Sequence, residues 1–135
     1  MNSKHDSQDT VLYYLYCHSI ELALKALLAY HGYSREDLKT RIRHDLKRAW
    51  KAALETGLAD YLTEVEQIRT VISVLSPYYM AKEFEYITGG YRSLPTIGDL
   101  YQATTQVIFG VGHAIKIPAI HLSRFHDQNI LKINT

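Results

Sequence analysis

The sequence has few residues of the kinds that crosslink a chain or break a helix. It contains one cysteine, Cys17, which excludes an internal disulfide framework and any cysteine-rich zinc site. Its three prolines all lie after residue 76, so nothing before that point forbids long helices. It also has no uncharged apolar run of the roughly 18 residues that a membrane span needs. We therefore expect a soluble cytoplasmic protein with no membrane contact.

Neither sign of charge dominates the chain. Fifteen Lys and Arg residues against fourteen Asp and Glu residues leave a net charge of +1, too little for a general nucleic-acid coat. The hydrophobic fraction of 47% is enough for the core of one domain. Intrinsic disorder and a two-domain enzyme are therefore excluded.

The spacing of apolar residues predicts four amphipathic helices. Each shows apolar residues three and four positions apart after a residue suited to capping. These helices follow Asp9 or Thr10, Asp45, Asp60, and Thr96 or Asp99. Gly32 and Gly57 are expected to end the first two, and Ser76 with Pro77 is expected to interrupt or kink the third. A short helical turn is expected at Ser34, followed by a loop to His44.

Four such helices predict an all-α protein with an up-down four-helix bundle in residues 1–118. The tail, residues 119–135, is apolar enough that we expect it to pack as an additional C-terminal helix or to dock on a second subunit. Gly110 and Gly112 lie inside the last helix, where each costs about 1 kcal/mol relative to Ala. We expect another helix to approach the backbone there, and we expect a homodimer.

Charge is concentrated in one part of the chain. The segment Arg35–Lys51 carries seven basic and three acidic residues, a net charge of +4, and Glu55–Glu66 carries four acidic residues and no basic one. This asymmetry is typical of a phosphate-binding edge beside an acidic face, of two complementary faces of a dimer, or of an ordinary solvated helix surface.

The end of the basic segment predicts an anion site. Arg41, Arg43 and His44 lead directly into the helix that Asp45 begins, and Lys47 lies in its first turn. A helix start offers free N–H groups and a positive dipole, which favour a bound phosphate.

Glu21 and Lys25 of the first helix are expected to form a second layer behind His44. They stand four residues apart, and a partly buried Glu21 needs donors such as His44. The alternative is that His44 only bonds Glu21 and so ties the loop to the first helix.

Tyr91 and Arg92 form a second candidate contact. They lie in the glycine-rich segment 88–98, where a tyrosine can stack on a base while an arginine holds its phosphate. The alternative is that the tyrosines of this region only fill the end of the bundle.

The sequence shows no pattern typical of a metal site, a cofactor site or a reactive cysteine. No two histidines stand three or four residues apart, so no metal site is expected. No phosphate loop or nucleophile elbow is present, and we expect no cofactor. Cys17 is expected to be a buried structural thiol.

The order of these motifs resembles the HEPN family of small helical domains. The shared features are Glu21, Lys25 and Leu28 in the first helix, His44-Asp45-Leu46 at the start of the second, and the loop 86–95 before a long last helix. The resemblance covers about residues 9–116 and implies a four-helix bundle of the HEPN type. Active HEPN ribonucleases resemble one another in an Arg-x4-6-His motif, which this sequence lacks.

The resemblance without the nuclease motif implies a noncatalytic binding module. Such a module recognises a nucleotide or an RNA phosphate, or acts as the partner of a nucleotidyltransferase. One alternative is a divergent, metal-independent ribonuclease, the toxin of a toxin–antitoxin or defence system, with His44 as general acid or base. Another is a purely structural helical dimer.

Overall fold

The computed structural model describes residues 7–84 and 94–116, and in these two ranges every regular element is a helix. In chain order they are α1 (Ser7–Tyr30), α2 (Arg35–Asp37), α3 (Leu46–Glu55), α4 (Val65–Ala81) and α5 (Ile97–Ala114). A π-helical turn occupies Leu38–Ile42, and a 3-10 turn occupies Leu58–Tyr61. The predicted all-α class is confirmed, while the predicted tail, residues 119–135, lies outside the described residues.

Most local signals for helix starts and ends are confirmed, but α1 begins at Ser7, so the predicted caps Asp9 and Thr10 lie inside it and Asp9 is an acidic residue of the first turn. The capping residues, with side chains that accept backbone N–H bonds in the first turn, are Ser34, Asp45 and Thr96. Gly32 and Gly57 have φ angles of 103° and 98°, which residues with a Cβ rarely adopt. They follow α1 and α3 as predicted, so these two helices end where the sequence indicates.

The predicted loop before His44 is wrong in part. After α2 the backbone continues as the π-helical turn, in which Arg43 N–H donates to the Leu38 carbonyl at 2.8 Å. This turn buries Ile42, which is only 4% exposed. Burial of an apolar side chain of this size stabilises the turn by roughly 1.5 to 3 kcal/mol, which explains why the segment does not stay extended.

The predicted bounds of the third long helix are also wrong. It begins at Val65 rather than directly after Asp60, because the 3-10 turn comes first, and it runs through Pro77 to Ala81. Pro77 cannot donate to the carbonyl four residues earlier. Tyr78 and Tyr79 nevertheless pack against the core beyond it, and this packing explains why the helix continues.

The hydrophobic core lies between α1, α3, α4 and α5. Trp50, Leu24, Leu27, Ile68, Ile72 and Leu100 belong to one buried cluster, and Leu54 packs at its margin. Cys17 is fully buried, and burial raises the pKa of its thiol to about 12. It is therefore a structural thiol, as expected.

One helix is apolar enough to span a membrane by length and composition. Within the described residues this is Asp9–Tyr30 of α1, with a mean hydropathy of 1.2. The same helix contacts α3, α4 and α5 and contributes Leu24, Leu27 and Leu28 to the core. Core packing accounts for the apolar residues on its buried side, whereas Val11, Leu15 and Leu22 of the same helix are exposed.

The close approach expected at the glycines of α5 is present at Gly110. A Cβ built on Gly110 would lie 2.5 Å from Leu62 Cδ2 and 3.1 Å from the Tyr61 carbonyl oxygen. The approaching residues belong to the segment before α4 of the same chain, so the expectation of another helix at this point is wrong. The homodimer stays a prediction.

Replacing Gly110 with alanine is expected to lower the free energy of unfolding by up to about 2 kcal/mol. Overpacking costs roughly 1 to 3 kcal/mol, and the helix propensity of alanine offsets about 1 kcal/mol of this. Urea denaturation measures the difference. Gly98→Ala is the control, because a Cβ there meets Thr96 Oγ1 at an ordinary 3.7 Å. An equal effect of both substitutions would contradict the close packing at Gly110.

Candidate functional site

A buried carboxylate, Glu21, is the centre of a hydrogen-bonded cluster in the middle of α1. Its side chain is 3% exposed. Lys25 Nζ and His44 Nδ1 both bond to its Oε2 atom, at 2.7 and 2.8 Å. The hydroxyl of Tyr79, near the end of α4, donates a short hydrogen bond to its Oε1 atom. The cluster therefore connects α1 to the segment before α3 and to the last turn of α4.

The partners of Glu21 keep it ionised. Burial on its own raises the pKa of the carboxyl group, but the hydrogen bonds from Lys25, Tyr79 and His44 outweigh this effect and hold the pKa below its usual range. Burial and the neighbouring carboxylate raise the pKa of Tyr79, so its hydroxyl keeps its proton. The cluster thus contains an anion held by three donors.

The charge on Glu21 fixes the orientation of the His44 ring. An ionised carboxylate only accepts hydrogen bonds, so the proton between the two groups is on His44 Nδ1. The His44 side chain is 72% exposed although this nitrogen is bonded to a buried group. The other nitrogen, Nε2, lies on the opposite side of the ring from Glu21. The hydrogen bond from His44 Nδ1 to Glu21 is the contact that the sequence predicts.

The ring of a second histidine, His18, is also held by a hydrogen bond at its Nδ1 atom. Its Nδ1 atom lies 3.3 Å from the Tyr79 hydroxyl oxygen and 3.8 Å from Glu21 Oε1. Because the Tyr79 proton is donated to Glu21, the hydroxyl oxygen accepts the bond from His18 Nδ1. The His18 side chain is 55% exposed. Both imidazole rings are thus oriented through Nδ1.

The two histidines line one cavity of about 520 Å³. We call it the histidine cavity, and its lining residues are Tyr14, His18, His44, Tyr79, Met80 and Lys82. The volume falls in the range of roughly 300 to 1,000 Å³ that is usual for small-molecule sites. Two imidazoles and an ammonium group are able to bind an anion, and a neutral imidazole is able to accept a proton.

The structure brings together only part of the predicted site. Glu21, Lys25 and His44 form one cluster, whereas Arg41 lies 3.7 Å from Asp37 and stacks over the Tyr33 ring at 4.8 Å. Arg43 is exposed and has a left-handed backbone conformation, with φ at 60°. Lys47 lines a different groove, between α3 and α4. Tyr91 and Arg92 lie outside the described residues.

The start of α3 is less open to an anion than we expected. The carboxylate of Asp45 accepts hydrogen bonds from the backbone N–H groups of Lys47 and Arg48, at 3.0 and 3.3 Å. These donors are therefore already bonded, and the carboxylate repels a second anion. The helix dipole at the start of α3 is therefore not enough to make an anion site there.

Sequence reasoning missed five residues of the histidine cavity. These residues are Tyr14, His18, Tyr79, Met80 and Lys82. His18 had a signal, since it stands three residues before Glu21 on α1. Tyr79 and Lys82 had none, because their positions depend on the continuation of α4 beyond Pro77.

Comparison of the chain with family models, with curated proteins and with solved structures gives no match. Within residues 7–84 and 94–116, no three His, Cys, Asp or Glu side chains are grouped so as to hold a metal ion. The geometry around Glu21 is therefore the basis for assigning a function.

Acid is expected to destabilise the fold partly through Glu21. A carboxyl group whose pKa is lowered in the folded state adds stability above its unfolded pKa, about 4.5, and this stability is lost as the pH falls through the folded pKa. Urea denaturation between pH 7 and pH 3 measures the loss for the parent protein and for Glu21→Gln. The parent should lose more stability below pH 4.5 than the variant. Equal losses would mean that Glu21 is not held ionised.

Proposed function

We propose that the protein is a HEPN-like binding module whose histidine cavity holds the phosphate of a nucleotide. The observation that carries the proposal is the pair of imidazoles, His18 and His44, oriented by one buried carboxylate toward the same cavity. With Nδ1 already donating, each ring donates from Nε2 in its doubly protonated, cationic form, and this is the form that holds the phosphate. Rings fixed in this way lose little conformational freedom on binding, so their energy goes into affinity.

The other lining residues support a nucleotide rather than a bare phosphate. The ammonium group of Lys82 adds a positive charge at one side of the cavity. The rings of Tyr14 and Tyr79 also line it, with centroids 6.5 Å apart. Tyrosine rings bind bases by stacking, without regard to sequence. A phosphate on the cationic groups and a base on the aromatic groups would fill the cavity.

Thermal denaturation with defined ligands tests the proposal. Uridine and adenosine monophosphates should raise the melting temperature, because a ligand that binds only the folded state stabilises it by about 2.7 kcal/mol at a hundred times its Kd. The nucleosides without phosphate should raise it less. His44→Ala should abolish the shift, while His31→Ala, a change at an exposed histidine outside the cavity, should preserve it. No shift with either nucleotide would contradict the proposal.

A metal-independent ribonuclease is the second candidate, and the same pair of histidines favours it. One neutral imidazole can take the proton of a ribose 2′-hydroxyl while a protonated one gives a proton to the leaving 5′-oxygen. Incubation of an RNA oligomer with the protein and a chelator separates the two functions. Cleavage by the parent but not by His44→Ala would establish the enzyme, and intact RNA would favour the binding module.

A further inference from the structure

A second concave surface lies beside the histidine cavity, and most of its charged lining residues are basic. This groove runs between α3 and α4, has a volume of about 620 Å³, and is called the basic groove below. Its cationic lining residues are Lys47, Arg48, Lys51 and Arg69. Its one acidic lining residue, Asp45, is bonded to the backbone at the start of α3. A groove with this balance attracts anions.

Two of the four cations are available to a ligand. Arg48 lies 3.5 Å from Asp45, and Arg69 lies 3.2 Å from Glu66. The ammonium groups of Lys47 and Lys51 make no ion pair or side-chain hydrogen bond with the described part of the chain. They stand four residues apart on the exposed side of α3, so they are neighbours on the helix surface.

One residue that lines the groove also has an unsatisfied donor. Trp50 lines it, is 3% exposed, and has the one buried side-chain polar atom without a partner among the described residues, the indole Nε1. A buried N–H without an acceptor costs roughly 1 to 3 kcal/mol.

The basic groove and the histidine cavity meet at one residue. Met80 lines both of them and is 51% exposed. Along α4 the groove extends from Arg69 to Met80, a distance of about 16 Å at a rise of about 1.5 Å per residue. This distance is longer than the phosphate of a single nucleotide or a triphosphate tail. It is long enough for a chain of several phosphodiesters.

We propose that the basic groove is a second binding site, which holds the phosphates of a single-stranded oligonucleotide that continues from the histidine cavity past Met80. The proposal rests on the proposed function, because the cavity holds the terminal nucleotide. Lys47 and Lys51 bind phosphates in the groove as point charges. The bases need no specific contacts there, so recognition in the groove is independent of sequence.

The experiment compares a hexamer with a monomer. The probes are 2′-O-methyl hexauridylate, which is resistant to cleavage, and uridine monophosphate. Trp50 is the one tryptophan of the chain and lines the groove, so its fluorescence reports groove binding, while calorimetry measures both affinities. In the parent protein the hexamer should bind at least tenfold more tightly than the monomer and should change the tryptophan emission.

A charge-matched pair of variants makes the test specific. Lys47→Gln with Lys51→Gln should weaken hexamer binding at least tenfold and leave monomer binding unchanged. The slope of log K against log salt should fall by roughly 1.4, since each phosphate contact on a single strand contributes about 0.7. Arg35→Gln with Lys39→Gln removes the same charge from exposed positions outside the groove and should have little effect.

Different results overturn the two proposals. Equal hexamer affinities in both double variants, or a hexamer that binds no more tightly than the monomer, would contradict the groove site and leave the cavity intact. A hexamer that binds and changes the tryptophan emission while the monomer does not bind would contradict the nucleotide cavity and support the groove. Thermal denaturation of each variant without ligand confirms that it is folded.

Discussion

Replacing Trp50 with alanine is expected to lower the free energy of unfolding by roughly 3 to 5 kcal/mol. Trp50 is 3% exposed and belongs to the core cluster in which α3 meets α4. Its removal takes a large apolar surface out of the core and leaves a cavity that the neighbouring helices only partly fill. A domain of this size has a total stability of about 5 to 15 kcal/mol, so the variant should be close to unfolding at 37 °C.

Urea denaturation with an unchanged m value measures this effect. Trp50→Phe is the matched control, because it keeps an aromatic ring and removes the unsatisfied indole N–H. It should cost less than half as much as alanine. A loss below about 1 kcal/mol for Trp50→Ala would mean that α3 is rotated and that Trp50 faces the solvent.

Replacing Glu21 with glutamine is expected to disrupt the site and to lower the free energy of unfolding by roughly 1.5 to 3 kcal/mol. The carboxylate accepts on both oxygens, from Lys25 and His44 on one and from Tyr79 on the other. An amide has one accepting oxygen and one donating nitrogen, so at least one of these donors loses its partner. A neutral amide oxygen is also a weaker acceptor than a carboxylate, so His44 is held less firmly and nucleotide affinity should fall at least tenfold.

The control for this substitution is Glu66→Gln. Glu66 also pairs with a basic side chain, Arg69, but its own side chain is 82% exposed, and exposed pairs contribute little. Calorimetry with uridine monophosphate and urea denaturation should show no change for this variant. A Glu21→Gln protein that binds the nucleotide as tightly as the parent would mean that the carboxylate has no role in the site.

Three of the helix starts were predictable because each depends on short-range chemistry. Ser34, Asp45 and Thr96 have side-chain oxygens that accept first-turn N–H bonds, and such a pattern is visible in the sequence. The contact between Glu21 and His44 was also predictable, since a buried carboxylate needs donors and His44 lies directly before the next long helix.

The remainder of the site depended on tertiary packing. Proline usually ends a helix, and only the packing of Tyr78 and Tyr79 against the core keeps α4 helical beyond Pro77. No local pattern predicts that outcome, so Tyr79 was not recognised as a partner of Glu21. The separation of Lys47 from His44 was missed for a similar reason. They are three residues apart in sequence, but they line two different concave surfaces.

The most direct test of the nucleotide site is the nitrogen NMR spectrum of the histidine rings during a titration with uridine monophosphate. The account predicts that the Nε2 signals of His18 and His44 move as the ligand is added, because these atoms contact the phosphate, and that their Nδ1 signals stay near the positions set by Tyr79 and Glu21. The signals of His31, which is exposed elsewhere, should not move. Unchanged Nε2 signals of His18 and His44 at saturating nucleotide would contradict the account.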